Sequence, residues 1–420
     1  MIKINRIEFF IFWCAVLIQS LVWSRFLLSI SLWGIVIVAL TEIPKGKDHK
    51  MNVFEWIFEY IQFWHWQRST PQYLSNFLKN RSYLALVVPF LLVVVSGLWS
   101  ENTLYWLSRV QLRLPFLLLP FAFSQMPPLS KKHVQSLFFF FLIVILVNFA
   151  WVLSNYALHF DEITTNLGQG KAMPFLKEHI TFSIMAAFAC IVGIELWLTA
   201  DAWMCKWSGA FSLVIFVALH IIAVRTGLIA LYLCLILRGI LFVFQSRRYL
   251  VGSIGLLVLV SIPLFSYKFL PSFQQRINYA IWDLEQYGIG DPSGKSDSER
   301  LISLKFGKQI FLENKIFGIG YGDIQQEMNR IYEKNYPTLK PKLPHNQWVL
   351  TAAGLGIVGL LILLVAFVTP LIERRRFQHF SFLSLQILVF VFTMTDIPFE
   401  TSFSLTFFTF FTSLFLNQDS

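Results

Sequence analysis

Apolar residues fall along this chain in long unbroken runs rather than in strict alternation. The runs lie near 7–23, 26–43, 83–99, 112–124, 134–158, 180–200, 207–223, 226–244, 249–266, 347–371, 380–395 and 401–416. A helix needs about 20 apolar residues to cross roughly 30 Å of hydrocarbon, so the pattern predicts an all-α polytopic transmembrane bundle of about 12 spans. Several runs are short, and 112–124 carries Pro115 and Pro120, which predicts a broken or half-spanning helix there.

Polar sequence collects in two insertions. In the first, roughly 44–82, Val53 to Trp66 is aromatic-rich with Glu55 and Glu59 at helical spacing, which predicts a helix over 53–66 lying in the membrane interface. The second, 267–346, is the only stretch with enough polar sequence to build a site outside the membrane. Ser296-Asp297-Ser298-Glu299 fits the S-x-x-E capping box, so a helix is expected to start there with Arg300 in its first turn and to run to about Asn314. Gly318, Gly320 and Gly322 follow, then Pro337, Pro341 and Pro344, and the insertion ends at His345-Asn346. The chain thus divides into spans one to nine over 1–266, a long helical loop over 267–346 carrying part of the site, and spans ten to twelve over 347–420.

Composition agrees with the pattern. Of 420 residues 56% are apolar and 14% charged, against roughly 45–50% and 25% in a soluble domain, which excludes a soluble globule as the whole answer. Cys14, Cys190, Cys205 and Cys234 lie in or beside apolar runs without C-x-x-C spacing, so neither a disulfide framework nor a zinc site is indicated. The basic N-terminus precedes an apolar stretch without a small-x-small cleavage site, and reads as a retained first span.

Charge sets the expected orientation. With the N-terminus inside, seventeen of the 34 cations fall in short inward segments, six in short outward ones and eleven in the long loop, so the positive-inside rule puts both termini in the cytoplasm. The net charge of +10 is then accounted for by anionic headgroups and needs no nucleic acid.

Against that trend, arginines gather on the outward side. Arg225, followed by Thr226-Gly227, interrupts the apolar stretch from Trp207 to Phe244 and marks a tight hairpin; a cation there faces a polar cavity or an anion, or snorkels to headgroups. Arg109 and Arg113 are four residues apart on one helix face. With Arg300 they suggest a shared anion, since guanidinium forks hold phosphate oxygens in a bidentate way. His345 sits where the long loop meets a span, and an imidazole that titrates near neutrality suits a general base, though a structural histidine is the plainer reading. His179 marks another outward boundary, and no histidine shows metal spacing. Gly318-Ile319-Gly320-Tyr321-Gly322 follows no βαβ pattern, so a nucleotide loop is rejected.

The C-terminal half resembles the O-antigen ligase and polymerase family of bacterial envelope membrane proteins. The resemblance rests on Arg225-Thr226-Gly227-Leu228, Arg300 in the long loop, Asn314 to Gly322, His345-Asn346, and a span with Gly356-Ile357-Val358-Gly359; Arg113-Leu114-Pro115-Phe116 adds to it. It implies a GT-C-like glycosyltransferase of the bacterial inner membrane that moves a glycan from undecaprenyl diphosphate to an acceptor hydroxyl, the lipid A core in a ligase, at the periplasmic face. Arg225 and Arg300 would hold the diphosphate and His345 would assist the acceptor. Arg109, Arg113, His179, Asn346 and Tyr321 would contact substrate, with no metal and no other cofactor. Polymerases and protein O-oligosaccharyltransferases use the same donor, and from another class a lipid-linked glycan transporter would also gather arginines. The chemistry agrees with the enzyme: fixed arginines stabilise a leaving diphosphate, no Asp-x-Asp pair sits on the outward loops, and direct displacement predicts inversion.

Overall fold

The computed structural model describes residues 6–40, 75, 77–176, 178–289 and 295–418, and every regular element among them is helical. In chain order these are α1 (Arg6–Trp23), α2 (Arg25–Leu40), α3 (Arg81–Ser96), α4 (Thr103–Leu112), α5 (Leu114–Ser124), α6 (Lys131–Leu158), α7 (Phe160–Gly168), α8 (His179–Thr199), α9 (Ala202–Ile222) and α10 (Arg225–Ser246). After them come α11 (Tyr249–Phe269), α12 (Pro271–Ile289), α13 (Ser296–Glu313), α14 (Ile324–Asn335), α15 (Gln347–Ile372), α16 (Phe380–Thr395) and α17 (Ser402–Gln418), with short 3-10 turns at Glu373–Gln378 and Pro398–Glu400. The expected interfacial helix over 53–66 lies outside the described residues.

Seven described helices are long and apolar enough to cross a membrane, and Arg25–Leu40, Arg81–Ser96 and Phe380–Thr395 are shorter apolar ones. Among the described residues the expected twelve crossings are therefore not reached by length and apolarity. The region read as a half-span is the reason in one case: the helix from Thr103 stops at Leu112, Arg113 leaves helical geometry (φ −90, ψ 3), and α5 restarts with Pro115 near its start and Pro120 inside it.

The chain zigzags through the bundle. At one end Arg6 donates to Val38 O at 3.2 Å and to Ala39 O at 2.7 Å, which ties the start of α1 to the end of α2. Asn417 closes the same end, accepting from Leu129 N–H at 2.9 Å and donating to Phe123 O at 3.1 Å. Helix α8 is the axle of the bundle, buried along most of its length, and its Phe188 packs against Phe407 and Phe411 of α17 with ring centroids 5.7 and 5.1 Å apart. Unsaturated rings meeting edge to face in this way add to the burial of their large surfaces.

At the opposite end α12, α13 and α14 cap the bundle, and α13 and α14 have an apolar centre of their own, in which Phe306 meets Tyr332 edge to face at 5.0 Å beside Ile302, Met328 and Leu350. The first turn of α15 belongs to this centre, so the spanning helix and the cap form one packing unit at the residues that carry the candidate site.

Candidate functional site

The predicted hairpin at Arg225 is present. Helix α9 ends at Ile222, Ala223 takes a left-handed conformation (φ 50, ψ 38) with its N–H on Leu219 O at 3.1 Å, and Val224 is extended before α10 begins at Arg225. Gly227 fixes the height of this turn, because a Cβ there would come within 2.7 Å of the Ser183 backbone on α8. The guanidinium so placed meets Asp297: Nη1 lies 2.8 Å from Oδ2 and Nη2 donates to Oδ1 at 3.0 Å.

Asp297 stands in the first turn of α13 and Arg300 just beyond it, but the expected capping box does not form. Ser296 is already helical, Lys295 takes the cap position with no side-chain cap bond, and Glu299 is paired with Lys342. The turn is held from outside by fully buried Asp283 of α12, which accepts from Asp297 N–H at 2.8 Å, Ser298 N–H at 3.0 Å and Ser298 Oγ at 2.6 Å. A full negative charge at a helix N-terminus satisfies the free N–H groups better than a serine hydroxyl does, and the dipole favours it further.

Arg300 is half-buried, and among the described residues its guanidinium makes no hydrogen bond or ion pair. Arg276 of α12, which the sequence pattern does not single out, stands close by. Burial and the like charges of Arg225 and Arg300 pull its guanidinium below the ordinary arginine range, with Asp297 working in the opposite sense. It is anchored through Nη1 to Lys171 O at 3.3 Å. Only its position in the polar insertion could have marked it, and that position it shares with ten other cations.

His345 faces this group from the start of α15. Its Nδ1 lies 3.0 Å from Asp396 Oδ1, its backbone N–H donates to Ser303 Oγ at 3.2 Å, and Nε2 makes no hydrogen bond among the described residues. Burial would raise the Asp396 carboxyl, but the hydrogen bond and charge of His345, the charge of Arg300 and the Ile397 N–H outweigh it and hold the group below the usual carboxylate value. His179, first residue of α8, lies within the electrostatic reach of Arg276, Arg300 and Asp396. Asn346 serves differently, as a helix cap. Its Oδ1 accepts from Trp348 N–H at 2.9 Å and Val349 N–H at 3.0 Å at the start of α15, while Nδ2 donates to Met394 O at 2.9 Å.

Arg109, Arg113 and Tyr321 form a second cluster around Glu400. The Arg113 guanidinium, 2% exposed, is ion-paired to Glu400, itself 4% exposed, and donates to the Tyr321 hydroxyl at 2.5 Å. Tyr321 in turn donates to Glu400 at 2.7 Å, and Arg109 reaches the other carboxylate oxygen at 3.3 Å. The anion expected to unite this pair of arginines is a side chain of the protein.

The glycine-rich segment before α14 is a backbone strap. Helix α15 breaks at Gly356 (φ 64, ψ −166), which would strand polar groups in an apolar setting. Ile319 N–H and Gly320 N–H donate to Ala353 O and Gly354 O at 3.1 and 3.0 Å, and Ile357 N–H donates to Lys315 O at 2.8 Å. At Gly318 and Gly356 a Cβ would run into the backbone of the other strand, so both positions require glycine. The strap locks the first turns of α15, and with them His345, to the cap.

Among the described residues no three His, Cys, Asp or Glu side chains cluster as metal ligands. Residues 210–364 match the family model described as O-antigen ligase, a segment that holds Arg225, Arg276, Arg300, Tyr321, His345 and Asn346 and leaves Arg109, Arg113, His179, Asp396 and Glu400 outside. No curated protein matches the chain. Over 210–364 the chain is therefore similar to the O-antigen ligase family, and this likeness with the seven long apolar helices supports a multi-pass membrane protein and a glycan-transferring enzyme of the ligase or polymerase type.

Proposed function

We propose that this protein is a glycosyltransferase that moves a glycan from undecaprenyl diphosphate to a hydroxyl of the lipid A core, at the periplasmic face of the bacterial inner membrane, with both termini in the cytoplasm. One observation carries the reading: Arg300, without an ion-pair partner among the described residues, shares its surroundings with Arg225 and Arg276 and with the His345–Asp396 pair. An excess of fixed positive charge beside an oriented imidazole suits a reaction in which an anion leaves as a hydroxyl proton is removed.

In this mechanism the donor's diphosphate lies among the three guanidinium groups. Asp396 holds the Nδ1–H of His345, which leaves the Nε2 lone pair toward the acceptor. The acceptor oxygen attacks the anomeric carbon while its proton passes to Nε2, the bond from that carbon to the diphosphate breaks, and the electron pair goes to the diphosphate oxygen. Charge that develops there is met by guanidinium forks already in place, without a metal ion. Because attack and departure occur on opposite faces, the anomeric configuration inverts. His179 lies at the edge of this charge field, and Asn346 serves it by capping the helix that begins beside His345.

The test is reconstitution in liposomes with a carrier-linked glycan and separate acceptors: lipid A core, a second carrier-linked repeat, and an acceptor protein. Extension of the lipid A core is the expected result, whereas extension of the repeat makes the protein a polymerase. His345→Ala is expected to lose roughly 10²–10⁴ in turnover while still binding the carrier, and EDTA is expected to have no effect. Loss of binding rather than turnover in that variant would remove the base from His345.

A further inference from the structure

Arg225 already holds an anion. One terminal nitrogen of its guanidinium donates to Asp297 Oδ1 at 3.0 Å and the other lies 2.8 Å from Oδ2, so a carboxylate occupies the fork on which a phosphate could sit. The backbone that carries this carboxylate is fixed, because the Asp297 N–H is fastened to buried Asp283 at 2.8 Å, while the side chain keeps its rotation about Cα–Cβ. Yet the pair is open: the Arg225 side chain keeps 38% of its exposure and Asp297 keeps 14%, so an incoming anion can reach the guanidinium. Arg300, three residues along the same helix, has no such partner among the described residues. A partly exposed ion pair of this kind contributes little stability, so stability alone does not explain a carboxylate set against one of the three site arginines.

Resting on the diphosphate reading above, we propose that Asp297 is a resident counter-ion of Arg225, displaced by the donor's diphosphate and returning when the carrier diphosphate leaves. It acts through Arg225 and touches no reacting atom. In the empty site it lowers the repulsion among Arg225, Arg276 and Arg300 and keeps the Arg225 fork spread in the plane a diphosphate needs. When donor binds, the side chain turns aside about its own Cα–Cβ bond while Asp283 still holds its backbone. After transfer it competes for Arg225 and so weakens retention of the product. Donor affinity is thereby set below what three free arginines would give, in exchange for release.

Inorganic pyrophosphate binding, measured by calorimetry on the full chain in detergent micelles, tests this. Asp297→Asn keeps the shape, the bond to Asp283 and one acceptor oxygen but removes the charge. It is expected to bind pyrophosphate about three- to tenfold more tightly than the wild type, and in glycan transfer to lower KM for the carrier-linked donor by a similar factor while the carrier diphosphate becomes a stronger product inhibitor. A purely structural role would not raise affinity. Unchanged or weaker pyrophosphate binding in both Asp297→Asn and Asp297→Ser overturns the displacement and makes Asp297 a support for Arg225. Should the wild type bind no pyrophosphate and Arg300→Ala behave identically, the diphosphate reading itself falls, and this inference with it.

Discussion

Two groups of arginines stand at the same end of this bundle and are used in opposite ways. Around Glu400, Arg113 is sealed from solvent, its charge matched by a carboxylate equally buried and its remaining donors spent on Tyr321. Around Arg300, three guanidinium groups stand together of which only Arg225 is ion-paired, to Asp297, leaving Arg276 and Arg300 without an ion-pair partner among the described residues. The first group joins α5 and the strap to the turn before α17 and so braces the bundle; the second can still receive an anion. Residue type does not separate them. What separates them is whether the fold has already supplied the countercharge, because a buried charge must be paired while a half-exposed one can wait for a ligand.

The comparison breaks first at Glu400. Replacing it with Ala would leave the Arg113 charge buried and unmatched, a change expected to cost about 3–5 kcal/mol of stability. Thermal unfolding in detergent reads this directly, and a variant as stable as the wild type would show that the cluster is hydrated and open like the other. Arg300→Ala is expected to do the reverse: near-normal unfolding temperature with glycan transfer reduced about 10²–10³-fold. Arg300→Lys should recover little of it, since an ammonium cannot offer the planar fork. Full transfer by the lysine variant would reduce Arg300 to a general source of positive charge.

The smallest effect concerns acid. Asp396 is held below the usual carboxylate value in the folded chain, chiefly by His345 and Arg300 against the opposing effect of burial. A depressed folded value contributes stability that is fully present above the unfolded value of about 3.9 and is lost as pH falls through the folded one. Unfolding temperature is therefore expected to drop between pH 5 and lower pH by more in the wild type than in Asp396→Asn. Equal acid sensitivity in the two would mean that Asp396 is not electrostatically tied to the site.

Much of the architecture is legible along the chain because hydrophobic runs, a hairpin arginine and a proline-marked loop end act locally. The helix through Arg300, the two-residue turn before Arg225, and His345 where cap meets span all lie where the sequence pattern puts them. The capping box misleads for a physical reason: Ser296 competes with a carboxylate thirteen residues upstream that becomes a neighbour only on folding. The crossing count is not confirmed, because apolarity alone does not fix helix length: the proline-bearing run over 112–124 forms a helix of only Leu114–Ser124, as short as its prolines suggest.

By itself the sequence determined an all-helical chain with membrane-length apolar helices, the match over 210–364, and the identity of the arginines and of His345 that make up the candidate site. Only the tertiary structure decided which of those residues are spoken for. Arg113 meets Glu400 across 287 positions, Arg225 meets Asp297 across 72, and His345 meets Asp396 across 51. No local pattern encodes such pairings, because helix periodicity extends over a few turns whereas the partner of a charge is chosen by which helix ends packing brings together. Arg276 entered the candidate site for the same reason: an unremarkable position on an amphipathic helix came beside Arg300 once α12 was laid against α7, α9 and α13.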